Sequence, residues 1–196
     1  MNEMTALTIN LKPFVSTERE FEELCRANPE LRLELTASGE VAVMSPTGSE
    51  TGARGASIAG QLWQWNERTR LGRVFDSSAG FRLANGAIRS PDASWVSLAR
   101  WRALPSSQRR RFAPLAPDFV VELCSPTDDW DTLHAKMLEY VASGVRLGWL
   151  IDPEHRRVLV YAAGQPASAV EAPAALAGDP VLPGFVLDRD PVFAEI

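Results

Sequence analysis

The sequence predicts one α/β (α+β) domain around a mixed sheet, and three observations carry that prediction. Leu31-Arg32-Leu33-Glu34-Leu35 alternates apolar and polar residues, and the apolar run Val41-Ala42-Val43-Met44 follows after a segment containing Gly39, which is the pattern of a hairpin. Ile58, Leu62 and Trp65 are spaced i, i+4, i+7, the stripe of a helix with one buried face. Phe119-Val120-Val121-Glu122-Leu123 is a β-favouring apolar run followed, past Ser125-Pro126, by a helical segment. Strands and helices so interleaved, in the order αββαβββαββ, make a mixed-sheet domain.

A chain of 196 residues suits one such domain with a real core. We expect an N-terminal arm over residues 1–15 and a single domain over 16–196. At 45% hydrophobic and 23% charged residues the composition is that of an ordinary globular protein. A net charge of −5 argues against a broadly basic nucleic-acid coat but allows a local basic groove. Cys25 and Cys124 lie far apart in no metal-type spacing, which favours a reduced, cytoplasmic chain, with one disulfide as the alternative. No apolar run approaches the ~20 residues of a membrane span. The start shows no basic-then-apolar signal pattern, so no signal peptide and no membrane partner are expected.

Each element has a local cause. Thr17 with Glu20 forms a capping box that starts the first helix, with Ser16 as the alternative cap, and Asn28-Pro29 ends it. Ser45-Pro46-Thr47-Gly48 breaks the hairpin. A long helix runs over residues 50–70, with Gly72 as its end. Residues 73–83 read as extended, Asn85-Gly86 is a hairpin turn, and Ser90-Pro91 opens the next strand. Residues 97–117 form a polar connection holding Arg100, Arg102, Arg109, Arg110 and Arg111. Asp128 or Asp129 caps the helix that Gly144 ends. Leu147-Gly148-Trp149-Leu150-Ile151-Asp152 is a buried strand, and residues 158–162 return beside it. Short β pieces are expected at Val181-Leu182 and Phe185-Val186-Leu187.

The chemistry gathers at three positions. A carboxylate in an apolar strand is costly unless something charged meets it, and Glu122 is such a carboxylate. Asp92 opens the preceding strand. Two acids at the ends of neighbouring strands can hold a hard cation such as Mg²⁺, which polarises a phosphodiester and acidifies a bound water. Lys136 sits on the flank of the apolar face formed by Trp130, Leu133, Met137, Tyr140 and Val141. From there a long side chain can lie along the sheet towards the strand ends.

Several segments together resemble the PD-(D/E)XK restriction-endonuclease-like superfamily, and within it the Uma-type branch. They are Met44-Ser45-Pro46-Thr47-Gly48, Arg89-Ser90-Pro91-Asp92-Ala93-Ser94-Trp95, Pro117-Asp118-Phe119-Val120-Val121-Glu122-Leu123, Ser125-Pro126, Lys136-Met137-Leu138-Glu139-Tyr140 and residues 144–151. The resemblance runs from about Glu34 to Asp188. It implies a restriction-endonuclease-like αβββαβ core, flanked here by an N-terminal helix and hairpin and a β-rich C-terminal tail. It also implies Asp92 and Glu122 as ligands of Mg²⁺ or Mn²⁺. The superfamily places its lysine two residues after the second acid, where this chain has Cys124; the branch is thought to supply it from the helix, which Lys136 fits. Glu34, matching the family's first acid with one extra residue before Gly39, and Glu50 are candidate outer-shell acids. DNA is the implied partner, with Arg109, Arg110 and Arg111 as candidate contacts.

Plainer readings stand beside these. Asp92 can cap a turn, Glu122 can face water on an edge strand, and Lys136 can be a solvated helix residue. The arginine run can be an ordinary loop. His134 and His155 are too isolated for a zinc site, and Cys124 reads as a small core residue. The tryptophans read first as core, with base stacking by Trp95 or Trp101 as the alternative. Three functions follow: a metal-dependent endonuclease hydrolysing DNA phosphodiester bonds, an inactive nuclease-fold module binding nucleic acid or protein, or a subunit of a homodimer paired through its tail and strand edges.

Overall fold

The computed structural model describes residues 7–11, 17–171 and 175–194. In chain order the elements are β1 (Leu7–Ile9), α1 (Glu18–Ala27), β2 (Arg32–Leu35), β3 (Val41–Met44), α2 (Ser49–Thr69), β4 (Gly72–Asp76), β5 (Phe81–Arg82), β6 (Ile88–Arg89), β7 (Ala93–Ser97), α3 (Leu98–Ala103) and α4 (Ser106–Arg109). They continue as β8 (Phe119–Leu123), α5 (Trp130–Ala142), β9 (Leu147–Asp152), β10 (Arg157–Ala162), β11 (Ser168–Glu171), β12 (Leu176–Ala177), β13 (Val186–Leu187) and α6 (Asp190–Phe193). The expected αβββαβ core is α2, β4, β7, β8, α5 and β9.

The main sheet has the order β11-β10-β9-β8-β7-β4. All its pairings are antiparallel except β8 with β9, whose parallel crossover is made by α5. Strand β8 is therefore central, and its alternate residues serve opposite faces. Phe119, Val121 and Leu123 pack on one side with Ile58, Leu62 and Trp65 of α2. Val120 packs on the other with Met137 and Tyr140 of α5. The C-terminal segment closes the α2 side: Leu182, Phe185, Leu187 and Val192 join that core, and the Phe185 ring stacks on Trp149 at 6.0 Å. The tail thus packs on its own chain.

A second sheet, β1-β3-β2-β6-β5, stands beside the first. Phe21 of α1 packs on it with Leu35, Val41 and Ile88. The capping box at Thr17 is present, Asn28 ends α1, and Asp129 caps α5 by accepting from Thr132 N.

The structure corrects several sequence expectations. Of the arm expected over residues 1–15, residues 1–6 and 12–15 lie outside the described residues, as does Ser16. Leu7–Ile9, however, form an edge strand on β3. The extended segment 73–83 divides between the two sheets, because Asp76 and Ser78 turn the chain between β4 and β5. The connection 97–117 contains α3 and α4. Val181 and Leu182 are buried in the turn between β12 and β13, not in a strand. Among the described residues no helix is long and apolar enough to cross a membrane.

Gly72 does not end α2. Arg70 takes the left-handed position, with φ 55°. Gly72 instead lets β4 approach β7: an added Cβ would meet Val96 O at 2.3 Å and the Trp95 ring at 2.4 Å. Gly60, on exposed helix surface, has nothing within 4 Å. Gly72→Ala is therefore expected to lose about 1–3 kcal/mol by overpacking, whereas Gly60→Ala gains up to ~1 kcal/mol by helix propensity. Urea unfolding of the two variants checks both signs.

Candidate active site

The pairing of β7 with β8 runs Trp95↔Phe119, Ser94↔Val120, Ala93↔Val121. One more step in this antiparallel register sets Asp92 opposite Glu122. Asp92 Oδ2 accepts a hydrogen bond from Leu123 N at 2.9 Å, which fixes its carboxylate at the strand end. Both acids line a cleft of about 900 Å³ whose other walls include the loop 45–48, the first turns of α2 and the segment 125–128.

Glu122 projects from the α5 face of its strand and is 4% exposed. Its Oε1 meets Lys136 Nζ at 2.9 Å and accepts from Tyr140 Oη at 2.9 Å. Lys136 is itself buried, and Nζ lies 3.0 Å from Glu34 Oε1. Glu34 reaches this point from the second sheet. There it also accepts from Ser90 N at 2.8 Å and pairs with Arg89 at 3.1 Å. Arg89 Nε donates to Glu139 Oε2 at 2.6 Å, and Asn85 Nδ2 donates to Glu139 Oε1. The alternating pattern of β2 correctly sets Glu34 on its polar face, but that face meets α5 rather than solvent.

The electrostatics follow from this packing. Burial, joined by the neighbouring Asp92 and Glu34 charges and only partly offset by Lys136, pushes the Glu122 carboxyl up to about 7. Burial also raises Asp92, against the Leu123 amide that favours its ionised form. Burial opposes ionisation of Glu34 too, yet Lys136, Arg89 and the Ser90 amide together hold it below the usual range. Burial alone would discharge Lys136, but Glu122 and Glu34 overcome it and hold its value above the ordinary one. Lys136 is therefore a fixed cation.

This centre fits a divalent cation. Four carboxylates (Glu34, Asp92, Glu122 and Glu139) face two cations (Arg89 and Lys136), leaving an excess of two negative charges when all are ionised. Among the described residues, Asp92 Oδ1 and Glu122 Oε2 accept no hydrogen bond, so one oxygen of each acid remains open to a ligand. Among the same residues no three His, Cys, Asp or Glu side chains converge as a metal cage. An ion here would keep several non-protein ligands, as Mg²⁺ commonly does.

The other candidates fall elsewhere. Glu50 lines the cleft but is drawn to Arg54 at 2.6 Å. Arg109, Arg110 and Arg111 line a separate hollow, and Arg111 is tied to Glu22. Trp95 is buried against Trp65, which removes it as a stacking platform. The plain readings of Glu122 and Lys136 also fail: β8 is no edge strand, and Lys136 is not solvated. Burial pushes the Cys124 thiol up to about 12, so it stays protonated at neutral pH. Sequence reasoning missed Arg89, Glu139 and Tyr140. The i+3 and i+4 spacing of Glu139 and Tyr140 from Lys136 was a visible signal; the reach of Arg89 to Glu34 was not.

The chain matches known proteins in two comparisons. The sequence profile of the Uma2 family, described as "Putative restriction endonuclease", matches residues 19–190. A crystal structure from Anabaena variabilis ATCC 29413, described as a "putative nuclease belonging to DUF820", superposes with a TM-score of 0.70. It is 21% identical and the match covers 84% of this chain and 90% of that one, so the likeness establishes the restriction-endonuclease-like fold. No curated protein matches the chain.

Removing the central cation should expose its dependants. Lys136→Met leaves Glu34 and Glu122 buried and facing each other, and a loss of about 3–5 kcal/mol is expected at pH 7. Because the folded Glu34 carboxyl titrates below its unfolded value, its contribution is full above the ordinary glutamate range and is lost as pH falls through the lower, folded value. Glu34→Gln should accordingly lower stability at pH 7 and flatten its decline in acid. Urea midpoints measured from pH 7 to pH 3 test both.

Proposed function

The chain belongs to the Uma2 restriction-endonuclease family, and we propose that it is a metal-dependent endonuclease hydrolysing DNA phosphodiester bonds. One observation carries this reading: Asp92 and Glu122, from adjacent strands, line one cleft, and the Lys136 amine lies 2.9 Å from Glu122 behind its wall. Asp92 and Glu122 would hold Mg²⁺ or Mn²⁺ through their open oxygens. Such an ion, when bound, supplies Lewis acidity that polarises the phosphodiester and lowers the pKa of a water.

The chain's own residues set the stage for in-line attack. Leu123 N and Tyr140 Oη hold one oxygen of each acid, so the free oxygens keep their aim. Lys136 remains protonated and acts by orientation and charge: it can direct the attacking water and offset the charge that develops on phosphorus oxygens. It is unsuited to accept the water's proton. Glu34 is a positioning residue that holds Lys136 against Glu122. In the net reaction water adds hydroxide to phosphorus, the phosphorus–sugar oxygen bond breaks, and the departing oxygen gains the proton.

Incubation of supercoiled plasmid with the protein and Mg²⁺ or Mn²⁺ tests this reading. Nicking or linearisation is expected for the wild type, abolished by EDTA and reduced at least 100-fold in Asp92→Ala. Equal cleavage by wild type and Asp92→Ala, or none with either metal, sinks it. Retained DNA binding without metal uptake in calorimetry would instead make the chain an inactive binding module.

A further inference from the structure

Beside the carboxylate cleft lies a second hollow of about 630 Å³ with an aromatic floor and a cationic rim. Phe75, Trp101 and Phe112 line the floor, and Arg109 and Arg110 stand at the rim. Phe75 and Trp101 meet edge to face with centroids 5.1 Å apart. Trp101 and Phe112 are only half-buried, so their rings keep open surface. Gly80 brings the backbone against Phe112: an added Cβ there would lie 2.5 Å from the ring.

The charge of this region contrasts with the chain as a whole. Residues 98–117 contain five arginines and no acid, in a protein of net charge −5. Arg100 is drawn to Asp118 and Arg111 to Glu22. Among the described residues, Arg109 and Arg110 form no ion pair. Adjacent unpaired arginines that share a hollow with aromatic rings suit a ligand that is both anionic and flat. A single-stranded nucleotide is such a ligand, whereas a duplex keeps its base faces stacked and out of reach.

The two hollows also share a wall. Asp76 and Ser77 line the carboxylate cleft, and the next residues, Ser78 to Gly80, line the aromatic one. We propose that the aromatic hollow takes an unpaired nucleotide of the DNA strand whose backbone enters the carboxylate cleft. The base lies on Trp101 and Phe112, and the flanking phosphates meet Arg109 and Arg110. The inference rests on the nuclease reading only for the nature of the strand in the cleft.

Fluorescence anisotropy with a labelled oligo-dT strand of about 15 nucleotides, in EDTA so that nothing is cut, tests it. For the wild type, an abasic strand of the same length is expected to bind at least fivefold more weakly. Arg109→Ala with Arg110→Ala should weaken oligo-dT at least tenfold and reduce the slope of log K against log salt by about 1.4, two single-strand phosphate contacts. Trp101→Leu should bind the two strands alike; if that variant fails to fold, the abasic comparison and the exposed arginine pair decide.

Equal binding of abasic and base-bearing strands by the wild type overturns the proposal, as does unchanged binding by the arginine variant. Polyglutamate binding as tight as oligo-dT also overturns it, by assigning the hollow to acidic peptides. If the wild type cuts no DNA yet shows this binding pattern, only the hydrolytic reading falls. If it cuts DNA and the pattern is absent, only the nucleotide hollow falls.

Discussion

The Lys136 amine, buried between Glu122 at 2.9 Å and Glu34 at 3.0 Å, is the contact on which the rest of the structure depends. A lone ammonium in that position would lose its proton to escape desolvation. Two carboxylates reverse the balance, and each of them in turn would be costly without the lysine. The three partners come from different places: Glu34 from the small sheet, Glu122 from the main sheet, and Lys136 from the crossover helix. The same charges that make the site therefore tie the two sheets together.

Around this contact the fold separates tasks. The α2 side of the main sheet is apolar and carries the bulk of the core, closed by the C-terminal segment. On the α5 side buried Lys136 meets Glu34 of the second sheet, and Tyr161 meets His134 of α5. Arg89 extends the network to Glu139, and Tyr140 donates to the same Glu122 oxygen that Lys136 meets. With every carboxylate ionised the network is two charges short of neutrality, and the burial that raises the Asp92 and Glu122 carboxyls acts at its cleft end. A fully neutralised cluster would be a structural salt bridge. This one carries that excess only in its fully ionised state.

Much of the centre was legible in the sequence because its signals are local. Glu122 interrupts an apolar strand, Asp92 follows a proline at a strand opening, and Lys136 flanks the buried face of a capped helix. The order αββαβββαββ followed from periodicity and turn residues, and the αβββαβ core within it from the family resemblance. What could not be read depends on contacts between distant segments. Alternation gave Glu34 its face but not the helix that face would meet, and nothing near Arg111 announces Glu22. Strands β5 and β6 are two residues each, too short for a periodic signal, yet they carry Arg89 into the site. Gly72 looked like a helix terminus because the need for close approach to Trp95 lies more than twenty residues ahead in the chain.

The central claim is that Asp92 and Glu122 offer their open oxygens to one cation. Anomalous diffraction from a crystal soaked in Mn²⁺ tests it most directly, since the ion reports its own position. The account predicts one dominant peak within bonding distance of both carboxylates, with Lys136 Nζ still on Glu122. A peak held by other groups, or none at saturating Mn²⁺, contradicts it.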